Sequence, residues 1–496
     1  MDGKVSRPDH VITSMEMANT SHGGSVKKEA HDDQMDARTE LLKMVMKNLH
    51  PLHLVDNAAL KALVKALNPG DPVPCDSSEA QTQLRNMYEI KRSEVKNALG
   101  SAESVVLTVE KWNLQSSETY LTLRCHCIDT KTWARKCFVL ETTRLVEGHS
   151  ADSVVAEAAS RWGIETKMSV VVSNMADMKD ISLKKWHEIP CFDHILDATF
   201  ESAAHSVWGD KWHRLLKKCT NIVDFISGSQ ERAQKFKEQW SGRCRPKLVE
   251  FPQRWFMDKK WPVTLSMLEW ILDHKTGIDK LLLDETNSEL WITPVDMTMI
   301  EDALSTLTLF RNSVQELGKG FRPLSEIIPF LVEMHEKITE DSSVLKVELA
   351  KKCEKHILNI KQSKWLKFST ILDPRFQLSF ADQPESTKAE MVVELMKIGT
   401  VGSATRASVP QPEGRSVLER YLEQEPLQRD KNPLEFWRDQ KNLSGMAPMA
   451  QKYLTVVSTA LPLDRAFGPE LYKRQIMLEP GDLHMMLFLQ GNLTQP

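Results

Sequence analysis

No stretch of this sequence approaches the roughly 18 consecutive apolar residues that a helix needs to cross a bilayer. The first residues, MDGKVSRPDHVITSMEM, contain no apolar signal core. Neither a membrane span nor secretion is supported, so an intracellular address is expected. The eight cysteines, at 75, 125, 127, 137, 191, 219, 244 and 353, include no CxxC pair. That argues against a disulfide framework, a structural zinc knuckle or any zinc finger, and for reduced thiols. A basic excess is missing too: 64 Lys and Arg stand against 68 Asp and Glu, for a formal net charge of -4. A uniformly basic nucleic-acid binder is excluded, and any such role must rest on a local patch. No internal repeat is evident.

What is present suits a large core, because 496 residues allow two to four units of about 100–200 residues each. Residues 1–36 are polar and aperiodic and read as a disordered tail. Residues 37–100 show apolar positions at helical spacing in LLKMVMKNLH and AALKALVKALN and read as an N-terminal helical unit. The period then changes. SVVLTVEKW (104–112), TYLTLRCHCID (119–129) and ARKCFVLETTRL (134–145) are β-rich runs with short polar links, as in an antiparallel meander. A helix from about Ser150 to Arg161 stops at Gly163 and leads into the apolar run SVVV, predicting a parallel fourth strand and a β-β-β-α-β mixed sheet over 101–205. Residues 206–400 read as a helical domain, 401–415 (rich in Gly, Pro and Ser) as a linker, and 416–496 as a last helical segment.

The fourth strand ends on Ser173-Asn174. Strand tips that precede a helical pattern are where carboxylates are mounted for chemistry, yet Asn174 is an amide and cannot ionise. Asp177 and Asp180 stand just beyond it, in the following helical pattern, and would be aimed by a different periodicity. Elsewhere, Cys191 and His194 are metal-ligand types at i and i+3, but two ligands make no site and a packing role is expected. Cys125 and Cys127 should share one face of a strand, with His126 on the other. Between 210 and 260, thirteen Lys or Arg face six Asp or Glu, with Trp212, Trp240, Trp255 and, at the edge, Trp261 interleaved. Cations for phosphates and indoles for unstacked bases make this the best nucleic-acid signature of the chain; a solvated face over core tryptophans is the competing reading. Val26-Lys27-Lys28-Glu29 fits the pattern for SUMO attachment at Lys27; Leu345-Lys346-Val347-Glu348 also fits but lies in a helical pattern.

The order of motifs resembles the hAT-superfamily transposases and their domesticated relatives, including the BED-type zinc-finger proteins, over about 40–496. LTVEKW, HSADSVV, RWGIETKMSVVVSN, IPCFDHILD, FPQRW, FSTILDPRF, YLEQEPLQRDKNPLEFW and STALPLDRAFG are similar to successive boxes of that family. The resemblance implies an α/β, RNase H-like mixed sheet interrupted by a large all-helical insertion, with the C-terminal part returning to the core. It also implies a triad of carboxylates holding two divalent metals for phosphoryl transfer. Those positions fall here on Glu110, Asn174 and Asp464, each altered, so a catalytically impaired protein with no metal and no cofactor is expected. The Arg-Trp box implies nucleic-acid contacts from Arg254 and Trp255, with Lys259 and Lys260 beside them, and the C-terminal boxes imply self-association through 416–496. The expected role is nuclear, as a homo-oligomer with DNA or chromatin proteins as partners. A residual metal-dependent nuclease, a SUMO-ligase-type enzyme, or a scaffold that never touches nucleic acid are the alternatives. No BED finger is found, so sequence-specific targeting is not supported.

Overall fold

The computed structural model describes residues 37–67, 76–114, 118–146, 148, 150–174, 186–239, 261–316, 322–340, 343–401, 411–459 and 478–493. Helices α1 (Ala37–Lys47), α2 (Ala58–Leu67) and α3 (Ser77–Ser101) come first. Asp76 starts α3 by accepting the Glu79 N–H at 2.8 Å, which satisfies one of the amides a helix start leaves open. Three strands follow, β1 (Val105–Leu114), β2 (Glu118–Ile128) and β3 (Arg135–Leu145), then α4 (Ala151–Trp162), β4 (Met168–Ser173) and β5 (His187–Pro190). Ser150 caps α4, and Gly163 ends it at φ 67°, a left-handed conformation that glycine adopts without steric cost.

The five strands form one mixed sheet in the order β3-β2-β1-β4-β5. β1, β2 and β3 pair antiparallel, whereas β4 lies parallel to β1 and β5 parallel to β4. The β-β-β-α-β order read from the sequence is therefore present. The four-residue β5, HEIP, is a fifth strand that the sequence does not announce, because it is too short to show alternation.

A helical layer follows: α5 (Phe192–Trp208), α6 (Asp210–Ser227), α7 (Gln230–Gln239), α8 (Trp261–Asp273), α9 (Lys275–Asp284), α10 (Pro294–Glu316), α11 (Ile327–Thr339), α12 (Val344–Gln362), α13 (Lys364–Leu372) and α14 (Pro384–Val401). The last helices are α15 (Gln411–Leu422), α16 (Pro433–Asp439), α17 (Ala447–Leu454) and α18 (Pro480–Leu493). α15 begins inside the segment read as a linker, since Pro412 sits in its first turn, where the missing N–H costs nothing.

Two cores flank the sheet. Val105, Leu107, Val109, Leu123, Cys125, Cys127 and Val171 meet side chains of α1, α3, α4 and α18, so the N-terminal helices share a core with the sheet and do not stand apart as a separate unit. Val106, Val170, Val172 and Ile189 face the other way, onto α5 and the helical layer that continues to Val456. Cys125 and Cys127 share the first core, while His126 bonds Thr108 Oγ1 at 3.2 Å, as strand alternation requires. Among the described residues, no helix is long and apolar enough to cross a membrane.

β3 is an edge strand, and α18 covers it. Asn492 Oδ1 accepts the Val139 N–H at 3.2 Å while its Nδ2 donates to the Val139 carbonyl at 2.8 Å. The Thr142 N–H donates to His484 Nδ1 at 3.2 Å, and His484 Nε2 lies 3.0 Å from the Tyr88 hydroxyl. These bonds occupy backbone groups through which an open edge recruits other chains. Burial lowers the His484 pKa, which keeps the ring neutral and Nδ1 an acceptor. Glu141, also on β3, clamps α4 by accepting from Arg161 Nε and Nη2 at 3.0 and 2.6 Å and from Trp162 Nε1 at 2.9 Å.

Candidate functional site

Parallel pairing of β1 with β4 matches Thr108 to Val172 and Val109 to Ser173. One residue further along, Glu110 and Asn174 occupy adjacent backbone positions where the pairing of the two strands ends. The fold thus brings together two of the three positions that the sequence singled out, although they are 64 residues apart in the chain. Glu110 is 5% exposed, and its cross-strand neighbour on β2 is Thr122, which bonds Thr142 at 3.0 Å and accepts from Trp112 Nε1 at 3.0 Å. A row of hydroxyls, rather than of further carboxylates, flanks Glu110 across β2 and β3.

The amide of Asn174 has a specific occupation. Its Oδ1 accepts the Lys111 N–H at 2.8 Å and its Nδ2 donates to the Lys111 carbonyl at 3.1 Å, while its own N–H reaches the Val109 carbonyl at 3.3 Å. The side chain therefore acts as an extra peptide group, carrying the ladder one step past the end of β4. A carboxylate could take the Lys111 N–H but would set an anionic oxygen against the Lys111 carbonyl. Asn174→Asp is expected to lower stability by about 1 kcal/mol, the partial exposure of the site softening the loss. Thermal melting of the variant checks this, and an unchanged or raised midpoint counts against the ladder role.

Two divalent cations need several anionic oxygens converging on them. Glu110 offers one carboxylate; Asn174 adds no charge and has both amide groups committed to Lys111, so this pair does not fit the metals that the resemblance implies. Among the described residues, no group of three or more His, Cys, Asp or Glu is placed to hold a metal ion. Asp464, Asp177 and Asp180 lie outside the described residues, as do Arg254, Trp255, Lys259, Lys260 and Lys27. The described chain does return to the site: the Phe192 N–H donates to the Ser458 carbonyl at 2.8 Å, and the Cys191 N–H to the Ser173 carbonyl at 2.7 Å. Residue 459 is thereby delivered beside the tips of β4 and β5. Cys191 itself is buried at the start of α5, where its box splices the sheet to the helical layer.

Other recurring boxes meet at the same junction. Asp373, fully buried, accepts from Ser325 Oγ at 2.7 Å and from Arg375 Nε and Nη2 at 2.9 and 2.7 Å. Arg375 Nη2 also reaches Glu326 at 2.9 Å, and Arg322 pairs with Asp193 at 3.2 Å. Burial drives the Glu326 pKa up against the pull of Arg375. Tyr421 and Trp437, from the box read as a dimerisation region, donate to the last carbonyls of α13, at Ile371 and Leu372, at 2.7 and 2.8 Å. With Leu418, Leu434 and Tyr453 they are buried in this chain's own core, so these side chains offer no surface to a second copy.

Sequence reasoning also missed the buried carboxylate of Glu394. Burial would raise the pKa of Glu394, on α14, but bonds from Lys364, Lys452 and Tyr453 hold it down to about 2. No spacing rule could find it, because its partners come from two other helices, Lys364 from α13 and Lys452 and Tyr453 from α17.

The tryptophans of the basic stretch divide. Trp212, 0% exposed, donates to Glu201, and Trp261, at 4%, lies in the helical core, so neither offers a face to a base. Core packing took the larger apolar surfaces, as the competing reading held for these two; Trp240 and Trp255 are outside the described residues. Lys346 is 6% exposed and donates to Ser305, which places it out of reach of a modifying enzyme.

No family model matches the chain. It is 22% identical to the human (Homo sapiens) zinc finger BED domain-containing protein 4, over 99% of this chain and 46% of that protein. It is 21% identical to the zinc finger BED domain-containing proteins RICESLEEPER 3 and RICESLEEPER 2 of Oryza sativa subsp. japonica, over 82% and 60% of this chain and 62% and 42% of those proteins. The chain spans about half the length of the curated relatives it matches. Across most of its residues, then, the chain is a distant relative of zinc finger BED domain-containing proteins.

Proposed function

We propose that this chain is a domesticated, catalytically impaired hAT transposase-like protein of the nucleus, which binds DNA or chromatin proteins as an oligomer and no longer cuts DNA. The observation that carries this is the pair on β1 and β4: a glutamate and a backbone-bound asparagine at the two adjacent strand positions where the resembling enzymes mount acids. The mixed sheet, with a helical segment between β5 and the returning residues 455–459, suits an RNase H-like core with an insertion. Similarity to BED-type relatives supports the nuclear, DNA-associated setting. Lys27 is the proposed modification site; Arg254, Trp255, Lys259 and Lys260 are proposed DNA contacts.

The test is one purified preparation assayed two ways. With magnesium or manganese, supercoiled plasmid should stay intact, while labelled DNA should bind with an affinity that falls steeply with salt, since each neutralised phosphate contributes about -0.9 to the log–log slope on duplex. Metal-dependent nicking that Glu110→Ala abolishes would restore the nuclease alternative. Absence of any salt-sensitive binding would leave the scaffold reading in its place.

A further inference from the structure

Of the tryptophans among the described residues, Trp291 alone is more than a third exposed, at 43%. It sits at the end of a short 3-10 turn (Ser288–Leu290), and its carbonyl accepts from Lys218 Nζ at 3.1 Å. Lys218 also pairs with Asp296 at 2.7 Å, which fixes that corner of α6 against Trp291. From Lys218 a cationic stripe runs back along α6 through Lys217, Arg214 and Lys211, whose side chains are all exposed. Positions 211, 214 and 217 recur at i, i+3 and i+6, one ridge of the helix that turns by about 120° over roughly 9 Å, with Lys218 beside its end. Lys218 is the member of this group held by a described carboxylate. Asp210 and Glu289 lie at the two ends of the stripe and leave its middle positive. The inward face of α6 (Trp212, Leu215, Cys219, Ile222) is buried, so the helix is anchored and the stripe is held in place.

We infer that this surface is a single-stranded nucleic-acid site, in which the backbone tracks Lys211, Arg214 and Lys217 and an unstacked base lies on the Trp291 indole. This rests on the DNA-binding reading above and deepens it, adding to the proposed contact at Trp255 a stacking residue outside the basic stretch. An apolar protein partner would also suit Trp291 and the neighbouring Val295, 61% exposed. It would have no use for three cations aligned beside them, whereas a phosphate backbone does. Stacking tolerates any base, so little sequence preference is expected.

The experiment uses the full chain with a fluorescent oligothymidylate and a duplex of mixed sequence, each titrated across a salt series. Trp291→Ala should weaken single-strand binding by roughly 5- to 100-fold, with the salt slope and the duplex affinity unchanged. The triple variant Lys211→Gln, Arg214→Gln, Lys217→Gln should flatten the single-strand slope by about 2, at about 0.7 for each lost phosphate contact. Because all four side chains are exposed, thermal melts should match the parent, and a shifted melt would be separated from binding by Trp291→Phe, which keeps a stacking face and should retain most of the affinity. If the parent binds with a salt-dependent affinity that neither variant changes, the DNA-binding reading stands and this site is wrong. If the parent binds no nucleic acid in a salt-dependent way, both fall, and Trp291 and Val295 then mark a protein-docking face.

Discussion

Asp373→Ala should free the junction between sheet and helical layer, at a cost of about 3–5 kcal/mol, the range found when one member of a buried ion pair is removed. The residue is 0% exposed, and its two oxygens take four bonds: from Ser325 Oγ, from the Arg375 N–H, and from Arg375 Nε and Nη2. Its loss leaves the Arg375 guanidinium, 9% exposed, with Glu326 as the remaining carboxylate in contact. A chain of this size need not unfold in one step, so the informative readout is local. Hydrogen exchange at the amides of Leu324 and Ser458, which bond Val456 and Arg322 across the junction, and of Gln377, which bonds Asp373 within its own turn, should accelerate by roughly 10²- to 10³-fold. Amides of β1 and β2 should change much less. Unaltered protection at the junction would show that the network contributes little. Asp373→Asn, which keeps an acceptor for Ser325, should fall between parent and alanine variant.

Gly491→Ala should loosen α18 from the edge of the sheet. A Cβ at 491 would collide with Val139 Cγ2 and stand 3.1 Å from Val139 Cβ. Gly491 sits in the last turn of α18, where alanine is favoured over glycine by less than the roughly 1 kcal/mol of a helix interior, so the sign of the effect rests on whether Val139 can yield. Its β-branched side chain has few rotamers, and its backbone is tied to Asn492 on both sides. Overpacking of this kind costs about 1–3 kcal/mol. A net loss is therefore expected, visible as a lower melting midpoint and faster exchange at Val139 and Thr142. Adding Val139→Ala should recover a large part of it, because the clash is removed and the helix propensity of alanine is regained. A double variant no better than the sum of the singles would mean that the two residues do not collide.

Much of the sheet was legible from local pattern. Strand alternation in 119–129 and 134–145, and the Ser150 to Gly163 helix with its cap and stop, appear within a residue or two of where periodicity places them. β5 was not legible, since four residues carry too little alternation to outweigh a helical neighbourhood. Composition likewise identified the basic stretch, but could not say which of its tryptophans face water. Trp212 and Trp261 turned inward because the helical layer had apolar partners for them, and Trp291, with no charge cluster of its own in sequence, came beside Lys218 only through the packing of α6 against the 3-10 turn.

Asn174 divides the two kinds of knowledge most sharply. The sequence alone determined that an amide, with no charge to offer a metal, ends the fourth strand; ionisation is a property of the residue and needs no neighbours. Only the tertiary structure decided that Glu110 lies next to it, since that adjacency comes from parallel pairing across 64 residues of chain. It also decided what the amide does, because a donor and an acceptor on one side chain can extend a ladder only where a backbone N–H and carbonyl, here those of Lys111, are presented together at hydrogen-bond distance.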